Sequence, residues 1–211
     1  MKQLFTTLAA CALFLILPQA LMAQEKTERF EELFSNGQLK TEGYYDAKGK
    51  KHGEWKEYYR NGELLSVKQF KHGFFDGKNI TYYKNGHMLA EGEYSDGVPH
   101  GRFADYDEKG RIYQERVFQN GVLHGTHIIY FTNGEVNEKI NYREGKLHGL
   151  VKTYYKSGQL MTQQQYEEGN PVGYFTTYKR NGKLRSREWM EMDFERPEPL
   201  PEQQATPETN Q

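Results

Sequence analysis

The stretch KHGEWKEYYRNGELLSVKQFKHG, residues 51–73, carries three glycines at a spacing that returns down the chain. Gly53 is followed at a period of 24 residues by Gly77, Gly101, Gly125, Gly149 and Gly173. Gly62 opens a second column, continued by Gly86, Gly110, Gly134, Gly158 and Gly182. Gly73 opens a third, with Gly97, Gly121, Gly145 and Gly169. Tyr58, Tyr82, Tyr106, Tyr130, Tyr154 and Tyr178 fill one further column without exception. Columns held in register over five or six periods mark a repeat protein. Upstream, Phe30, Leu33, Phe34, Asn36 and Gly37 continue the pattern, with one extra residue in the segment Asp46–Lys51. That gives seven units, from about Glu28 to about Glu195.

Each unit predicts one β-hairpin. Asn61-Gly62, Asn85-Gly86, Asn133-Gly134 and Asn181-Gly182 are strong signals for a two-residue type I′ turn, in which both central residues take positive φ. Lys109-Gly110 and Ser157-Gly158 keep the glycine. A two-residue turn at Asn61-Gly62 sets Arg60 opposite Glu63 and Tyr59 opposite Leu64. Alternation then gathers Trp55, Tyr59, Leu64 and Phe70 on one face, and sends the Tyr58 column to the other, beside Leu65 and Val67. A lone hairpin is marginal, so neighbours must cover one another. The expected fold is all-β: an elongated single-layer stack of seven antiparallel β-hairpin repeats, about 65 Å long for fourteen strands at about 4.8 Å. Frequent glycine and the absence of a 3.6-residue period exclude helix. Gly110 is expected at positive φ and Tyr106 packed laterally, so both should resist substitution more than His124.

Composition agrees with a thin fold. Of 211 residues 36% are hydrophobic, with 16 tyrosines and 21 glycines, and the mean hydropathy is -0.93. Twenty-eight basic against 29 acidic residues leave no positive excess for nucleic acid. One cysteine excludes a disulfide framework and a thiolate metal cluster. Residues 1–23 have the layout of a secretory signal peptide: Lys2, an apolar run from Leu8 to Leu17, Pro18 and a small residue at Ala23. Cleavage after Ala23 is expected, with export to the periplasm or envelope. A retained anchor, or lipidation at Cys11 within Leu8-Ala9-Ala10-Cys11, is the alternative. The repeat domain then runs over 24–195. Residues 196–211 hold four of the seven prolines and predict a disordered Pro-rich tail.

The chemistry-bearing residues suggest no reaction centre. His52, His100, His124 and His148 occupy equivalent places, which two strands per unit separate by about 10 Å, too far to share an ion. No metal and no cofactor are therefore expected, and His72 and His87 read as solvated. Glu57, Glu91, Glu93, Glu115 and Glu138 read first as the wet side of strands; a glycan-cleaving pair would need two carboxyl groups converging in a cleft. The glycines lack the phosphate-loop pattern. Trp55, Tyr59, Phe70, Phe118, Tyr142 and Tyr166 are read as scaffold packing, with the Tyr58 column the better candidate for exposed hydroxyls.

The unit Tyr-Tyr-x-Asn-Gly-x-Leu, followed by an aromatic, Gly and His-Gly, resembles the MORN-like repeats, and more closely their bacterial variant in the YwqK antitoxin family. The resemblance covers about Glu28 to Glu195 and falls on Gly53, Tyr58, Asn61, Gly62 and Phe70 and their equivalents. Asp76 and Val172 depart from the repeat histidine, and Asp107 and Lys179 from the second aromatic. The resemblance implies an elongated hairpin assembly without catalytic residues, working through protein or membrane-lipid contacts. The expected function is thus a non-enzymatic exported interaction or envelope scaffold, with a protein partner or an envelope glycan or lipid. An immunity-like toxin binder and a glycan-binding or glycan-cleaving envelope protein are the alternatives.

Overall fold

A computed structural model describes residues 27–190. The segments read as a signal peptide and a Pro-rich tail lie outside the described residues, as does Cys11.

Strand follows strand in chain order. The first hairpin joins β1 (Glu28–Leu33) to β2 (Leu39–Tyr45), and the second joins β3 (Lys51–Tyr58) to β4 (Leu64–Lys71). In the third, β5 (Phe74–Phe75) and β6 (Gly77–Tyr82) form one interrupted strand against β7 (Met88–Ser95). The fourth joins β8 (Val98–Tyr106) to β9 (Ile112–Gln119). In the fifth, β10 (Val122–Leu123) and β11 (Gly125–Tyr130) face β12 (Val136–Arg143). In the sixth, β13 (Lys146–Leu147) and β14 (Gly149–Tyr154) face β15 (Leu160–Glu167). The seventh joins β16 (Asn170–Tyr178) to β17 (Leu184–Trp189). Every pairing is antiparallel and follows the chain, with the short β5, β10 and β13 paired back on β4, β9 and β12, so the described residues make one meandering sheet of seven hairpins.

The turns are the reverse of the sequence expectation. Asn61 is absent from the positive-φ residues, whereas Gly62 stands at φ 87. Gly62 N donates to Tyr59 O at 2.9 Å and Tyr59 N to Glu63 O at 2.8 Å. This is a three-residue loop, a tight turn followed by a left-handed glycine and a bulge. Asn61 contributes an acceptor instead: its Oδ1 receives Glu63 N at 3.2 Å. Tyr58, not Tyr59, consequently pairs with Leu64. The turns with both central residues at positive φ lie between units, at His72-Gly73, Asp96-Gly97, Asn120-Gly121, Glu144-Gly145 and Glu168-Gly169. The extra residue after Asp46 turns the first junction into a longer loop, closed by Asp46 N to Lys50 O at 2.8 Å.

Among the described residues there is no second layer to enclose a core. Trp55 and Ala104 are the buried hydrophobic residues among those described. Most rings are half-buried, so each hairpin depends on lateral contact with its neighbours, as in other stacked repeats.

Candidate interaction surface

On the Trp55 face a file of rings crosses four hairpins. Phe30 stacks on Trp55 at 5.4 Å between centroids, and Tyr45 meets Trp55 edge-on at 5.0 Å. Trp55 touches Phe70 at 6.2 Å, Phe70 touches Phe75 at 4.8 Å, and Phe75 touches Tyr94 at 5.2 Å. Tyr94 then meets Phe103 at 5.3 Å, and Phe103 meets Phe118 at 4.8 Å. The tilted and edge-to-face geometries are those aromatic pairs favour. Lys51 lays its ammonium 4.2 Å from the Trp55 ring centroid. Beyond Phe118 the file breaks up: Leu123 and Leu147 occupy the places that correspond to Phe75, and His127 and Val151 those that correspond to Trp55 and Phe103, while Tyr142 and Tyr166 keep the place of Phe118.

Two glycines outside the three columns make room for this file. A Cβ on Gly43 would lie 2.3 Å from the Trp55 ring, and one on Gly92 2.1 Å from Phe103. These close approaches occur where β2–β3 and β7–β8 pair along an unbroken strand. The junctions β4–β6, β9–β11 and β12–β14 are interrupted, and there Asn79, His127 and Val151 replace the ring. The sequence signal was available: Gly43 and Gly92 break the glycine register 12 and 11 residues ahead of Trp55 and Phe103.

The opposite face is polar and internally paired. Tyr58 donates to Glu42 at 2.7 Å, Tyr106 to Glu91 at 2.8 Å and Tyr130 to Glu115 at 2.5 Å. These hydroxyls of the Tyr58 column are committed to neighbouring hairpins. Arg102 bridges Glu91 and Glu115 at 2.8 and 2.7 Å, and Lys78 also reaches Glu91 at 2.6 Å. Two carboxylates therefore do converge, but in the wrong state for acid catalysis. Burial pushes Glu91 upward, and its bonds from Lys78, Tyr106 and Arg102 outweigh that and carry it down to about 2. Burial likewise opposes the fall at Glu115, where Tyr130 and Arg102 prevail. Tyr130 is pushed up to about 12 by burial and by Glu115. A general acid needs a carboxyl held protonated near neutral pH, and this cluster does the opposite.

The second tyrosine of the Tyr-Tyr pair ties one unit to the next. Tyr59 donates to Tyr82 O at 2.7 Å, Tyr83 to Tyr106 O at 2.9 Å and Tyr155 to Tyr178 O at 2.8 Å. Asp107 interrupts that column without undoing the link, because it binds Arg111, which donates to Thr132 O at 2.8 Å.

The MORN repeat variant matches this chain at residues 51–72, 75–96, 123–144 and 147–168, the second, third, fifth and sixth hairpins. The chain carries MORN-like repeats. The fourth and seventh hairpins, outside the matched segments, are those in which Asp107 and Lys179 replace the second aromatic. MORN repeats are a non-catalytic scaffold, in keeping with a face whose carboxylates are neutralised by cations. No curated protein matches this chain.

Of the sequence-predicted positions, Gly53, Gly77, Gly101, Gly125, Gly149 and Gly173 lie at positive φ where one hairpin passes to the next. Gly62, Gly86, Gly110, Gly134, Gly158 and Gly182 do so in the hairpin loops. The histidines behave less uniformly than their spacing suggests. His87 Nδ1 sits 2.8 Å from Glu108 O, and His72 Nδ1 sits 2.9 Å from Asp46 Oδ2. His72 is thus not simply solvated. With His52 these two residues place three ligating atoms within 4.8 Å of one another. Equivalent histidines stand too far apart to share an ion, whereas this cluster joins inequivalent ones, from β3 and from the turn after β4.

Proposed function

We propose that this MORN-like protein is a non-enzymatic interaction scaffold whose contact surface is the aromatic file from Phe30 to Phe118, and that it acts after export, in the periplasm or envelope. The continuity of rings over four hairpins, half-buried except for the buried Trp55, is the observation that carries the reading. A protein partner fits such a surface best, because aromatic rings supply much of the energy at protein interfaces and are held here with little entropy left to lose. The apolar run and Ala23 at the N-terminus support export. The resemblance of Tyr-Tyr-x-Asn-Gly-x-Leu to the YwqK antitoxin family favours a second reading, in which the bound protein is a toxin and this chain its immunity partner.

A photo-activatable residue placed at Tyr94, within the file, should cross-link a discrete partner in intact cells. The same residue at Glu54, exposed on the opposite face, should not. Equal capture from both positions, or none from Tyr94, would contradict the assignment. Fractionating the same cells tests export: cytoplasmic protein with an intact N-terminus would overturn it.

A further inference from the structure

We propose that Asp46, His52 and His72 form a binding site for a divalent transition metal between the first and second inter-hairpin turns. The three residues come from separate segments: the loop after β2, strand β3 and the turn after β4. Asp46 is buried, and its carboxylate is oriented by the backbone. Lys48 N and Lys50 N each donate to Oδ1 at 2.9 Å. That leaves Oδ2 directed at His72 Nδ1, 2.9 Å away. His72 itself is set by the turn, at φ 50, and the adjacent Gly73 N donates to Lys51 O at 2.8 Å, which holds the turn against β3. The His52 ring lies 5.5 Å from the His72 ring, centroid to centroid.

The ligating atoms lie within 4.8 Å of one another. Ligands about 2.1 Å from a tetrahedral zinc are spaced about 3.4 Å apart, so rotation of the imidazoles by about an ångström closes the site. Two imidazoles and one carboxylate suit zinc and neighbouring first-row ions better than calcium or magnesium. Water would complete the coordination, and backbone bonds to Oδ1 are the kind of outer support that fixes a ligating carboxylate.

The other junctions supply an internal contrast. The places corresponding to His52 and His72 are held by His100 and Asn120 in one unit and by His148 and Glu168 in another. Glu168 is engaged by Arg143 at 2.6 Å and Lys146 at 3.3 Å. The loop with Asp46 exists only at the first junction, because the extra residue lengthens it. The site therefore belongs to one point on the repeat and would tie the turns that enter and leave the second hairpin together.

Untagged full-length protein, stripped with chelator, should bind one equivalent of zinc by calorimetry and gain thermal stability. Cobalt in its place should give visible bands of imidazole and carboxylate coordination. His72→Asn places a residue seen at the corresponding Asn120, so it should fold as judged by circular dichroism, yet weaken binding about tenfold or more. Asp46→Asn should do the same, whereas His148→Asn should leave affinity unchanged. No saturable binding by the wild type, or undiminished binding in both the Asp46→Asn and His72→Asn variants, would overturn the site.

Discussion

The first four hairpins and the last three are built on one repeat but held together differently. From Phe30 to Phe118 the Trp55 face is a continuous file of rings; from Leu123 onward the same places hold Leu123, His127, Tyr142, Leu147, Val151, Tyr166 and Phe175, so the rings are separated by smaller side chains. At the Trp55 place stand Asn79 and Phe103 in the next two units, and His127, Val151 and Phe175 in the last three. Trp55 is 2% exposed; Val151 is half-buried. In a sheet with no second layer, a ring that spans to the next strand replaces the missing core, and a valine cannot reach as far. The lesson is that backbone register, set by glycine, can be uniform while lateral cohesion is not.

The largest expected effect tests that contrast directly. Trp55→Ala should destabilise the protein by about 4 kcal/mol, in the range for deleting a buried large aromatic. Val151→Ala, at the corresponding place, should cost about 1 kcal/mol, from two half-buried methyl groups at about 0.8 kcal/mol per fully buried group. Urea midpoints of the two variants would compare them, and equal losses would break the comparison. Next in size is Gly92→Ala, expected to cost about 2 kcal/mol because its Cβ would enter the Phe103 ring. Combined with Phe103→Ala the two losses should fall well short of their sum, since the clash disappears with the ring.

Tyr83→Phe should remove the bond to Tyr106 O at a cost of about 1 kcal/mol. The smallest effect concerns acid. Glu91 has a lower pKa folded, about 2, than its ordinary 4.5. The bonds it makes therefore stabilise fully above pH 4.5 and are lost as the pH falls toward 2. Lys78 and Arg102 are each about half exposed, so the effect should stay below about 1 kcal/mol. Glu91→Gln should flatten the stability profile over that interval, as followed by denaturant titration at stepped pH.

Much of this was legible in the sequence, and the exceptions have specific causes. The 24-residue columns predicted the hairpins and their number. The turn assignment failed because a glycine after asparagine serves a three-residue loop as well as a two-residue one, and only the pairing of Tyr58 with Leu64 distinguishes them. True two-residue turns sit at His72-Gly73 and its equivalents, where histidine or glutamate at three of the five places weakens a signal that Asp96-Gly97 and Asn120-Gly121 do carry. Gly43 and Gly92 were legible in principle, but their purpose lies in a ring on the next hairpin. Asp46 and His72 come together across 26 residues through an irregular loop, so repeat arithmetic, which compares like with like, could not find them.

Amide hydrogen exchange resolved by hairpin tests the central claim, that the aromatic file makes the first half the more cohesive. The end hairpins fray and are set aside. Amides of β3, β4, β7 and β8 should exchange more slowly than those of β12, β14 and β15. Uniform protection across the sheet, or slower exchange in β12, β14 and β15, would contradict it.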